Sequence, residues 1–100
     1  MQNDTNDSLL VDQLIKGDVF AFDKLFGRYA NKIYGFSMRY LKSDAQCEEL
    51  VQEVFVKVWE KRKSLKRDLS FKLYLFTIAY NDIIKFFRSK AYHQAYYVRL

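Results

Sequence analysis

The 100-residue chain carries one histidine, His93, and one cysteine, Cys47. Acid–base or nucleophilic catalysis needs a second titratable group in register, and no Cys/His cluster here has the spacing of a zinc site. His93, near the C-terminus, reads as a surface residue. Cys47 shares a helical face with Leu50, Val51, Val54 and Val58 and reads as core. No glycine-rich phosphate loop is present. The carboxylates that gather, Glu48, Glu49, Glu53 and Glu60, stand at helical spacing and suit a solvated face. These residues point away from an enzyme and imply no cofactor and no metal.

Binding chemistry is better supplied. Five Lys/Arg fall between Lys61 and Arg67, and Lys72 follows within a run containing Phe71, Tyr74, Phe76 and Tyr80. Cations track a phosphate backbone, while aromatic faces stack on unpaired bases, a pairing that suits single-stranded nucleic acid better than duplex. Phe71, Phe76 and Phe86 also fit a core, whereas Tyr74 shares a helical stripe with Asn81 and Arg88 and is the better candidate for exposure. Asn81 offers both a donor and an acceptor, as reading a base edge requires. A second binding signal lies upstream, where Glu48, Glu49, Gln52, Glu53, Val56 and Glu60 form one acidic face, with Phe55 and Trp59 at its edge. Such a face is a plausible dock for another helix or a coiled coil.

The elements that position these residues are helical. Proline is absent and glycine occurs three times, so long helices with few tight turns are expected. The polar residues 1–7 read as a flexible N-terminus. A short helix is expected over Ser8 to Lys16, with Leu9, Leu10, Gln13 and Leu14 as a narrow apolar edge, closed by Gly17. Asp18 caps a second helix from Val19 to Leu41. Its Phe22, Leu25, Phe26, Tyr29, Ile33, Phe36 and Tyr40 read as one buried stripe. Gly27 and Gly35 inside it suggest close approach of another helix. Ser43, with Gln46 three positions on, opens a third helix to about Arg62. A basic loop leads to a last helix from Ser70 past Lys90, apolar along Leu75, Ala79, Ile83 and Phe86 and again along Leu73, Phe76, Tyr80, Ile84 and Phe87. The tail, with Tyr92, Tyr96 and Tyr97, is compatible with helix. The expected fold is all-α, a compact bundle of about four helices with long second and last members.

Charge divides along the chain. Residues 1–60 hold seven Lys/Arg and ten Asp/Glu, residues 61–100 ten and two, so −3 and +8 make up the net +5. Two different partners, a protein surface for the first part and phosphates for the second, would account for this; a solvated basic surface is the blander alternative. One cysteine permits no intrachain disulfide, and no apolar run is long enough for a membrane span. The polar N-terminus is unlike a secretory signal, so a reducing, cytoplasmic setting is expected.

The strings EELVQEVFVKVW at 48–59 and FKLYLFTIAYN at 71–81, with IKGDVFAF at 15–22 upstream, resemble conserved region 2 of the sigma-70 family, closest to its extracytoplasmic-function (ECF) group. The resemblance covers about residues 8–92, and the joint order and spacing of the motifs carry it. It implies a transcription initiation factor domain. Its third helix would dock on the clamp coiled coil of the largest RNA polymerase subunit, through Glu49, Gln52, Glu53 and Phe55. Its basic loop and last helix would open the promoter minus-ten element and hold non-template bases, through Lys63, Lys66, Arg67, Tyr74, Asn81 and Arg88. An anti-sigma factor is a further implied partner. The alternative is a sigma-like interaction module that binds no DNA. The family often has Asp at the place of Glu49, Trp at Tyr74, Arg at Thr77 and Tyr80, and Asp at Lys85. A complete factor adds a helix-turn-helix domain, so residues 93–100 read as the start of a linker toward it and the chain as an N-terminal fragment.

Overall fold

In the computed structural model the backbone is described for residues 2–99 and the side chains for residues 7–91. Four α-helices follow one another: α1, Gln2–Ile15; α2, Val19–Leu41; α3, Asp44–Glu60; and α4, Phe71–Arg99. A single 3-10 turn, Arg62–Ser64, interrupts the loop before α4. No strand occurs among the described residues.

The helix ends follow local chemistry. Gly17 adopts φ +90°, and its amide returns to the Leu14 carbonyl at 2.8 Å, closing α1. The nearest atom to a Cβ there, Arg62 Nε, is 4.0 Å away, so the positive φ rather than lack of space calls for glycine. Asp18 accepts from the amides of Phe20 (2.9 Å) and Ala21 (3.4 Å) at the start of α2. Ser43 accepts from the Gln46 amide at 3.3 Å and starts α3; Ser70 accepts from the Leu73 amide at 3.1 Å and starts α4.

Burial runs in rows four residues apart. On α2 the row is Ala21, Leu25, Tyr29, Ile33 and Ser37; on α4 it is Phe71, Leu75, Ala79 and Ile83. Leu10, Val11 and Leu14 from α1 and Leu50, Val51, Val54, Phe55 and Val58 from α3 complete one core. Ser37 enters it because its hydroxyl donates back to the Ile33 carbonyl at 2.7 Å. Cys47 is fully buried, and burial raises its thiol pKa, as suits a packing residue.

Several expectations are corrected. The α2 row is rotated from the expected stripe: Phe22 and Phe36 are half-buried and Phe26 and Tyr40 exposed. Ala21 and Ser37 close the two ends of the inner row around Leu25, Tyr29 and Ile33, and Phe22 and Phe36 pack on its flanks. No atom outside the local helix lies within 4 Å of a Cβ built at Gly27 or Gly35, so neither marks a close helix approach. On α1, Leu10 and Leu14 of the expected edge are buried, but Leu9 and Gln13 are exposed and Val11 takes the inner place beside them. On α4 the first apolar row is the inner one as far as Ile83; of the second, Phe76 packs against the core and Ile84 is half-buried, but Leu73, Tyr80 and Phe87 face solvent. The N-terminal stretch is helical from Gln2 and its Asp7 is buried, bonded to Arg28 at 2.5 Å and to the Tyr29 hydroxyl. Without those two donors a carboxylate would not stay there. The side chains of residues 1–6 and 92–100, and with them His93, Tyr92, Tyr96 and Tyr97, lie outside the described residues.

Asp7→Ala removes the carboxylate that both Arg28 and the Tyr29 hydroxyl bond and is expected to cost about 2 kcal/mol. Thermal unfolding should show a fall in Tm of roughly 10 °C. An unchanged Tm would mean that α1 is not latched through Asp7.

Candidate protein-docking and nucleic-acid surfaces

The division on α3 follows helical geometry. Cys47, Leu50, Val51, Val54 and Val58 point inward, and Glu48, Glu49, Gln52, Glu53, Val56 and Glu60 are all exposed. An exposed acidic stripe therefore runs the length of α3, with a groove on either side. Gln52 borders the groove toward α2, of about 370 Å³, with Phe26, Ala30 and Tyr34 opposite. Glu49 and Glu53 border the groove toward α4, of about 380 Å³, with Lys57, Asp82, Lys85 and Phe86. The Tyr34 hydroxyl donates to Asp44 in the first turn of α3; that bond, with burial, pushes its pKa up to about 12. The two helices are thereby joined at the end of the first groove.

Phe55 does not belong to the exposed stripe. It is 2% exposed, with the rings of Phe26 and Phe22 edge-on at 4.8 and 6.1 Å. It falls one residue past Val54 and points toward α2, so its role is to hold α3 against α2. Trp59 is half-buried between Phe22, at 5.4 Å, and the Arg62 guanidinium, 4.2 Å from its ring. Arg62 also donates to the Trp59 carbonyl at 2.9 Å. This stack fixes how the basic loop leaves α3.

Lys63, Lys66 and Arg67 are exposed on that loop. Arg67 reaches Asp12 of α1 only at 3.9 Å, and its carbonyl accepts from Ser8 at 3.4 Å. Beneath the loop lies a cleft of about 150 Å³, walled by Val11, Leu65, Leu69, Phe71 and Tyr74, with Lys66 beside them. That is small against the ~300–1,000 Å³ of an ordinary small-molecule site. Tyr74 is half-buried there rather than freely exposed, and burial raises its hydroxyl pKa. Asn81 and Arg88 are exposed on α4 at seven-residue steps from Tyr74. At 1.5 Å rise per residue, Arg88 lies about 21 Å along the axis from Tyr74. The structure thus gathers Lys66, Arg67 and Tyr74 around the loop and leaves Asn81 and Arg88 as a trail along α4.

Two features escaped the sequence reading. Leu65 and Leu69, the apolar walls of the cleft, stand inside a polar run, where they were the only available signal. Lys57 pairs with Asp82 at 2.5 Å across α3 and α4, and Asp82 is 8% exposed. Asp82 lies one turn before Lys85 on α4.

The fold and its surfaces define an all-helical binding domain with an acidic stripe and a basic, aromatic edge. A family model described as Sigma-70 region 2 matches residues 25–92, and the chain belongs to that family. It is 35% identical over 81 residues to the ECF RNA polymerase sigma-E factor of Escherichia coli K12, and 31% identical over 81 residues to the RNA polymerase sigma-H factor of Pseudomonas aeruginosa. Each match covers 81% of this chain and 42% of the relative, so the chain spans less than half the length of these curated relatives. It also resembles, at a TM-score of 0.77 and 30% identity, an engineered region 2 of sigmaE solved by NMR in complex with GTAAAA; 85% of this chain and 88% of that one are covered.

Phe55→Ala should lower unfolding free energy by about 3 kcal/mol, as cavity-forming core changes do. Glu53→Gln should change it by less than ~0.5 kcal/mol. Urea denaturation distinguishes them, and a Phe55→Ala variant as stable as wild type would return Phe55 to the surface.

Proposed function

We propose that this chain is the polymerase-docking and minus-ten-recognising domain of an ECF-type transcription initiation factor. The observation that carries the reading is the continuous unit from α3 to α4: an exposed acidic stripe, a basic loop pinned by the Trp59–Arg62 stack, and an apolar cleft beneath that loop. The engineered region 2 of sigmaE, to which the chain is similar over most of its length, was solved in complex with GTAAAA.

In this reading Glu49, Gln52 and Glu53 meet the clamp coiled coil of the largest polymerase subunit, and Phe55 supports them from inside. Lys63, Lys66 and Arg67 neutralise phosphates of the non-template strand. An extruded base enters the cleft beside Tyr74, where stacking and desolvation offset the few kcal/mol of unstacking. Asn81 and Arg88 meet the strand farther along α4. No bond is made or broken by the protein: binding energy holds the open strand. The setting is cytoplasmic, and an anti-sigma factor would act by covering these surfaces. No helix among the described residues is long and apolar enough to cross a membrane.

A pull-down with the purified clamp coiled coil tests the first contact. Wild type should be retained, and Gln52→Ala with Glu53→Lys should abolish retention. A folded wild type that is not retained would favour a sigma-like module with another partner.

Anisotropy with fluorescent GTAAAA at low salt tests the second. Replacing Lys63, Lys66 and Arg67 by Ala should weaken binding and reduce the slope of log K against log salt by about 2, the value for three lost phosphate contacts to a single strand. An unchanged slope would remove the loop from the DNA interface.

A further inference from the structure

We propose that Asp12 of α1 belongs to the nucleic-acid surface: in the free domain it occupies the Arg67 guanidinium as a strand's phosphate would, and so sets how much affinity the basic loop has by itself. This rests on the reading of that loop as a single-strand-binding surface. It adds a residue that lies ahead of positions 25–92, the part matched by the Sigma-70 region 2 model.

One side of α1 faces the loop. Ser8, Val11 and Asp12 stand three and four residues apart and so share a helical face. The buried Asp7, bonded to Arg28 and to the Tyr29 hydroxyl, ties the same helix to α2. One residue on, the Ser8 hydroxyl donates to the Arg67 carbonyl at 3.4 Å. Val11 walls the cleft under the loop and also a second cleft, of about 180 Å³, that Arg67 lines. The Asp12 carboxylate then meets the Arg67 guanidinium at 3.9 Å. α1 therefore holds Arg67 at its backbone and at its charge.

Arg67 is set apart from its neighbours by this pair. Among the described residues Lys61, Lys63 and Lys66 have no carboxylate partner, and Arg62 is stacked on Trp59. A carboxylate and a phosphate offer a guanidinium the same kind of anionic oxygen, so Asp12 and a strand compete for one cation. The pair is open to water, with the Arg67 and Asp12 side chains 62% and 39% exposed, and is weak enough for a phosphate to displace. Once displaced, Asp12 stays beside the phosphate, and the two like charges repel. The opposition falls on the loop's electrostatic affinity and leaves the apolar cleft untouched.

Anisotropy with fluorescent GTAAAA, at low and at moderate salt, tests the pair in the 100-residue chain. The proteins are wild type, Asp12→Asn, Arg67→Ala, the double variant and Asp23→Asn. Asp12→Asn should bind about two- to fivefold more tightly at low salt, the scale of one exposed ion pair. The gain should shrink as salt rises. The double variant should bind like Arg67→Ala, because Asp12 acts through Arg67. Asp23→Asn makes the same change of net charge at an exposed position on α2 and should bind like wild type. Circular dichroism checks folding, and Asp12→Ser takes the place of Asp12→Asn where that variant is unfolded. An affinity no higher than wild type, a gain that persists without Arg67, or an equal gain in Asp23→Asn would overturn the role of Asp12 while leaving the loop as a DNA surface. A wild type that does not bind GTAAAA at low salt would overturn the reading beneath it.

Discussion

Tyr29 is where three of the four helices meet, and the placement of the basic loop and the cleft beneath it depends on it. Its ring is buried on the inner row of α2 and lies 5.8 Å from Phe71, the first residue of α4. Its hydroxyl bonds Asp7 of α1, whose other oxygen holds Arg28. The start of α4 is thus fixed relative to α1 and α2. At its other end the loop is fixed by Arg62 stacked on Trp59. A loop held at both ends by aromatic contacts presents its cations from a definite place, which a freely moving loop would do only at an entropic cost on binding.

From that constraint the division of surfaces follows. The core uses one face of each helix, and rows of residues four apart leave the opposite face of α3 to Glu49, Gln52 and Glu53. The same loop that closes over Phe71 brings Leu65 and Leu69 beside Val11 and makes a cleft where the chain reads as merely polar and basic. The basic edge begins where α3 ends, so the two surfaces lie on one continuous structural unit. Under the function proposed above, that arrangement would make capture of an open strand depend on where polymerase holds α3.

Much of this was legible in the residues. Helix order, caps at Asp18 and Ser43, the start of the last helix near Ser70, and most of the inward and outward faces of α3 follow from spacing and capping chemistry alone. The α2 stripe was harder, because large rings draw attention away from Ala21 and Ser37, which complete the inner row with Leu25, Tyr29 and Ile33. Phe55 looked like an edge residue because helical spacing does not say how far a neighbouring helix wraps. The burial of Asp7 depends on Arg28 and Tyr29 more than twenty positions away, and the Lys57–Asp82 pair spans two helices; no local pattern announces either.

The central claim is that one rigid unit offers distinct surfaces to polymerase and to single-stranded DNA. Backbone amide shifts of the labelled domain, titrated first with GTAAAA and then with the clamp coiled coil, test it directly. The account predicts DNA-induced changes at the loop, Tyr74 and the trail along α4, then separate changes along α3 with the DNA set retained. Changes from both ligands on the same residues, or displacement of the DNA by the clamp, would contradict it.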